Sequence, residues 1–146
     1  MPSRFNEALL AQRFGEIREV RDLLETCTRL PVEQFVSDRE AVDAAKYRLL
    51  TGIEACAQVC SHLLSRLTGQ PPDSMPFCFQ KLAELNVLPA DLASRLVQMA
   101  RFRNLLVHRY QVIDNAQVYQ IIRDGIADWD AFIESVQQFV RGGTYA

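Results

Sequence analysis

Apolar residues recur along this chain at helical spacings for long stretches, and clusters rich in proline, glycine, aspartate and asparagine separate those stretches. Phe5, Leu9, Ile17, Val20, Leu24 and Cys27 trace one stripe that closes before Pro31, the pattern of an amphipathic helix turned toward a core. Ser37 followed three residues later by Glu40 has the form of a capping box. From there Val42, Ala45, Leu49, Ile53, Cys56, Cys60, Leu63 and Leu67 run as a second stripe toward Gly69. Residues 69–76 carry three prolines, which lack an amide donor and clash with the preceding turn, so a linker is predicted there. A short helix follows from Phe77 to Asn86, and Pro89 with Asp91 opens another that carries Leu92, Leu96, Met99 and Phe102. After a turn at Asp114 and Asn115, the last stripe runs from Val118 through Ile122, Ile126, Trp129, Phe132, Ile133 and Val136 to Phe139, with Gly142 and Gly143 ending it. Core packing accounts for Trp129 and the phenylalanines around it.

No run alternates β-branched and polar residues for long, and no Asn-Gly or Asp-Gly pair joins two such runs. The expected class is all-α: three long helices and two shorter ones, packed as an antiparallel helical bundle of four to five helices. With 146 residues, 49% of them hydrophobic, the chain can bury a core as a single domain spanning residues 1–146. The charged fraction of 23% and the net charge of −2 argue against disorder and against binding nucleic acid through bulk charge. The longest apolar run, Ala8 to Ala11, is far short of a membrane span, and Asn6 and Glu7 interrupt the start where an export signal would be apolar. A cytoplasmic protein with no membrane contact is expected. Cys27, Cys56, Cys60 and Cys78 suit a reducing compartment. Cys56 and Cys60 share a helical face near His62, but no second cluster supplies further ligands, so they are read as core cysteines, with no metal site and no cofactor expected.

Charge is uneven along the chain. Arg95, Arg101, Arg103 and Arg109 fall between residues 95 and 113 with no acidic residue among them, giving that window +4 while the remainder sums to −6. Arginine grips phosphate through paired donors. Within the window stands Arg103-Asn104-Leu105-Leu106-Val107-His108-Arg109-Tyr110. On a helix Asn104 and His108 lie about 40° apart, whereas Arg103 and His108 are about 140° apart. Arg103 and Tyr110 share a face if the helix runs that far. Arg103 must therefore reach round the helix, or a second copy must complete the site, and dimerisation becomes a mechanistic expectation. Histidine, arginine and asparagine are parts for metal-independent RNA cleavage. In that chemistry a ribose 2′-hydroxyl attacks the adjacent phosphorus, His108 moves protons near neutral pH, Arg103 offsets charge on the phosphorane, and Asn104 orients ring or phosphate.

This Arg-Asn-x3-His-x-Tyr pattern resembles the HEPN superfamily, and RNLLVHRY resembles its HepT-like branch. The stretch LAELNVLPADLASRLVQMARFRNLLVHRY, the Trp129 and Phe132 region and GIEACAQVCSHLL are also similar. The resemblance implies an all-helical, homodimeric toxin of a type VII-like toxin–antitoxin system, with two motifs facing each other across a cleft. By it Arg103 and His108 are catalytic, with Asn104 assisting, and the substrate is RNA, either tRNA or mRNA. The partner is a cognate MNT-type nucleotidyltransferase antitoxin that silences the toxin by adding AMP to the motif tyrosine, here Tyr110. Such an addition places bulk and negative charge where RNA phosphate must enter. Arg101 and Arg109 are candidate RNA contacts. His62 is expected to be structural, and Tyr47, Tyr119 and Tyr145 to serve packing or surface. An alternative reading is a non-catalytic helical module that binds a nucleotidyltransferase and its nucleotide or substrate.

Overall fold

A computed structural model describes residues 4–142. Its elements are α1 (Glu7–Cys27), α2 (Val32–Ser37), α3 (Arg39–Thr68), α4 (Met75–Glu84), α5 (Ala90–His108), one turn of 3-10 helix (Tyr110–Val112) and α6 (Asn115–Gly142). Among the described residues there is no strand. The class is all-α and the architecture an antiparallel bundle, with six α-helices rather than four to five. The addition is α2, too short to show a periodicity, which exists because Phe35 is fully buried against the bundle. Gly143 and Tyr145 lie outside the described residues.

Several boundaries differ from the pattern reading for local reasons. Ser37 does not cap α3: it closes α2, its hydroxyl donating to the Gln34 carbonyl at 2.9 Å. Asp38 takes the cap instead, its carboxylate accepting from the Ala41 N–H at 3.1 Å, a charge placed well for the helix dipole. The predicted linker is shorter than residues 69–76, because Ser74 caps α4 and Pro76 sits in its first turn, where a missing N–H leaves no bond unmade. Gly69 ends α3 at φ 77°, a left-handed conformation that glycine adopts without strain.

The long α3 is the axis of the bundle and packs against each of the other five α-helices. Gly52 is what allows α6 to approach, since a Cβ there would lie 2.2 Å from the Trp129 ring. Trp129 is completely buried, and its indole N–H donates to the Met99 sulfur at 2.7 Å, joining α3, α5 and α6 at one point. Cys60 and Cys78 correct the expectation of four reduced cysteines: they form a disulfide with Cα atoms 6.2 Å apart. The juxtaposition comes from α4 lying against α3, which the spacing of the cysteines does not encode. Cys56 is buried, and burial pushes its thiol well above the ordinary range, holding it protonated. No helix among the described residues is long and apolar enough to cross a membrane.

Candidate active site

The basic segment forms the end of α5 and the turn after it. Leu106 faces the core, and the remainder of the last turns divides into sides. Helical geometry puts Arg101, Asn104 and His108 within about 60° of one another. All three are exposed. Two exposed aliphatic residues, Leu105 and Val107, flank this row, one on each side. Among the described residues the His108 side chain makes no hydrogen bond, and it stands exposed at the end of α5. Arg101 also lines an open groove of about 630 Å³ between α5 and α6, beside Met99, Phe102 and Leu105. Arg109 is exposed and caps the helix, its N–H donating to the Leu105 carbonyl at 2.7 Å.

Arg103 lies off this row, toward α3. Its guanidinium donates from Nη2 at 2.6 Å and from Nε at 3.2 Å to Oε1 of Glu54, while Nη1 reaches Asn104 Oδ1 at 3.4 Å. A cavity of about 420 Å³ between α3 and α4 opens beside this pair. Glu54 was not singled out from the sequence. It sits on α3 between the buried Ile53 and Ala55, and the apolar stripe draws attention away from it. One chain brings Asn104 beside Arg103 and in line with His108, but no contact among the described residues joins Arg103 to His108.

Tyr110 does not share a face with Arg103, because α5 ends at His108 and the chain turns into 3-10 helix. The turn is held from α3. Lys46, the one buried charged residue among those described, donates to the Tyr110 carbonyl at 3.1 Å and places its ammonium 4.4 Å from the ring centroid. The Tyr110 hydroxyl donates to Asp43 at 3.0 Å. Burial, followed by the hydrogen bond and charge of Asp43, pushes the phenol above its ordinary value. Asp43 and Glu54 are eleven residues apart, three turns and about 20° in rotation, so one edge of α3 holds both ends of the motif.

The remaining candidates are structural in placement. His62 Nε2 accepts from the backbone N–H of Asn6 at 3.0 Å, which docks the start of α1 on the end of α3. Tyr119 is buried, its hydroxyl donating to the Leu30 carbonyl at 2.6 Å, and Tyr47 is exposed on α3.

A family model described as ribonuclease HepT-like matches residues 16–136. The mRNA nuclease HepT of Shewanella oneidensis is 27% identical over 104 residues, covering 71% of this chain and 78% of its own. The tRNA nuclease HepT of Aphanizomenon flos-aquae is 21% identical over 134 residues, 90% of each. Among solved structures, a tri-AMPylated Shewanella oneidensis HEPN toxin in complex with MNT antitoxin superposes with a TM-score of 0.81 at 22% identity, covering 88% of this chain and 96% of that one.

Proposed function

The chain belongs to the ribonuclease HepT-like family, and on that premise we propose that it is the toxin of a toxin–antitoxin pair, a metal-independent endoribonuclease built as a single HEPN domain. It acts in the cytoplasm on tRNA or mRNA, the two classes named for its relatives. The observation that carries this reading is the exposed row of Arg101, Asn104 and His108 beside an arginine fixed by Glu54.

In the proposed reaction the ribose 2′-oxygen bonds to phosphorus as the bond to the 5′-oxygen breaks, giving a cyclic phosphate and a free 5′-hydroxyl. His108 moves the proton, with a contribution of roughly 10² to 10⁴ in rate. Arg103 offsets charge on the nonbridging oxygens, and Asn104 orients the phosphate. Because Arg103 lies round the helix from His108, the complete site is a homodimer in which Leu105 and Val107 pack against a second copy and bring two motifs together. Arg101 and Arg109 extend the positive surface to RNA. An MNT-type nucleotidyltransferase antitoxin silences the site by adding AMP to Tyr110; the Shewanella toxin of similar fold, in complex with MNT antitoxin, is tri-AMPylated.

The test is cleavage of total tRNA and mRNA in EDTA by wild type and His108→Ala. Cleavage by wild type with loss of at least about 100-fold in the variant is expected. Equal cleavage by both overturns the assignment of His108. Cleavage by neither, with wild type carrying no added AMP by mass, overturns the nuclease reading in favour of a binding module.

A further inference from the structure

Two tyrosines show how differently this fold can use a phenol. Tyr119 is buried and donates to backbone carbonyls of Leu30 and Thr28, the arrangement of a structural tie. Tyr110 is half-buried, donates to a carboxylate, and forms part of the wall of a polar cavity of about 300 Å³. The charged and titratable groups lining that cavity are Arg39, Asp43, Lys46 and Tyr110 itself. Asn115 also lines it, with a buried Oδ1 that has no hydrogen-bond partner. Arg39 Nε stands 3.9 Å from Asp43 on a highly exposed side chain, so it is free to turn toward an incoming anion. A tyrosine held only for stability needs neither an open cavity nor one cation over its ring and another beside the carboxylate its hydroxyl meets.

We propose that this cavity is the acceptor site for nucleotidyl transfer and that Asp43 takes the proton from Tyr110 as the transfer occurs. The inference rests on the reading of Tyr110 as the modified residue. Tyr110 Oη bonds to the α-phosphorus of a nucleoside triphosphate held by the partner enzyme. The bond from that phosphorus to the β-phosphate oxygen breaks, pyrophosphate leaves, and the phenolic proton passes to Asp43 Oδ1, already 3.0 Å away. Asp43 then returns the proton to water. The burial and charge that raise the phenol's pKa keep it from ionising ahead of the step, so the proton has to leave as the oxygen–phosphorus bond forms. Arg39 and Lys46 put positive charge beside the phosphate. Asn115 Oδ1 offers an acceptor to a donor group on the nucleotide.

The experiment follows AMP addition from ATP by the cognate MNT-type nucleotidyltransferase, reading intact mass and the modified peptide. It compares wild type, Asp43→Asn, Asp43→Glu and Tyr110→Phe, each checked for unchanged melting. Asparagine still accepts the hydrogen bond but cannot take the proton, so Asp43→Asn is expected to be slower by about 100-fold at neutral pH. Asp43→Glu should recover part of the rate, and the Asp43→Asn deficit should shrink as pH approaches 10, near where a phenol ordinarily ionises unaided. An Asp43→Asn variant modified on Tyr110 at the wild-type rate overturns the proposal and leaves the Tyr110 reading standing. A deficit equal at all pH values and not relieved by glutamate also overturns it, since that is the behaviour of a structural tie. Modification of Tyr110→Phe as fast as wild type, or none of wild type, removes the Tyr110 reading and this inference with it.

Discussion

At the residue scale, the arginine of the motif is not a free cation. Glu54 holds it from α3, and both side chains are partly exposed, so the pair contributes less than about 1 kcal/mol to stability. On the proposed reading its value is in aiming the guanidinium. Glu54→Ala is expected to lower RNA cleavage by about tenfold while the midpoint of urea unfolding stays nearly unchanged, as read by gel assay and circular dichroism. His62 gives a residue-scale prediction of a different kind. Burial, and then the charge of Arg66, hold its pKa below the ordinary 6.5, so the folded protein binds its proton more weakly than the unfolded chain does. The stability from neutral His62 is therefore complete above about pH 6.5 and is lost as pH falls through the folded-state pKa. Wild type should lose more melting temperature than His62→Gln between pH 7 and pH 5, because glutamine keeps an acceptor for Asn6 without a charge to gain. Equal losses would show that the docking of α1 does not depend on that proton.

At the scale of elements, the long stripes of α1, α3 and α6 were readable because each buries one face of many turns and repeats its signal. What escaped was set by tertiary contact. The six residues of α2 are helical because Phe35 has a hole to fill, and no window that short shows a period. The end of α5 carries neither glycine nor proline to announce it. The chain turns there with Lys46 holding the Tyr110 carbonyl, a residue 64 positions away. In the same way the motif itself stood out by composition, but its α3 partners Asp43 and Glu54 look like ordinary solvated carboxylates until the helices are packed. Gly52 supplies the prediction for this scale. Gly52→Ala drives a methyl into the Trp129 ring and should destabilise the protein by about 1–3 kcal/mol in urea titration, more than an alanine normally gains a helix over glycine. A neutral result would mean that α3 and α6 can separate without loss.

At the scale of the whole molecule, a single chain leaves the groups of the proposed chemistry divided. Arg103 is fixed toward α3 while His108 points outward between Leu105 and Val107, which are 46% and 45% exposed. Aliphatic side chains flanking an unpaired histidine are what a second copy would cover. The double change Leu105→Glu with Val107→Glu replaces no buried residue, so each chain should remain folded. Sedimentation equilibrium is expected to find monomers, and RNA cleavage to fall at least tenfold. Retained dimers with full activity would place the interface elsewhere.

The meeting of Gly52, Met99 and Trp129 has an optical consequence. This chain has one tryptophan, so its emission has a single origin, and that origin is sealed from water against the two helices that supply Glu54 and Arg103. Gly52 is two residues from Glu54, and Met99 is one helical turn before Arg103. The fluorescence of Trp129 is thus an intrinsic, label-free gauge of whether α3, α5 and α6 stay packed around the indole.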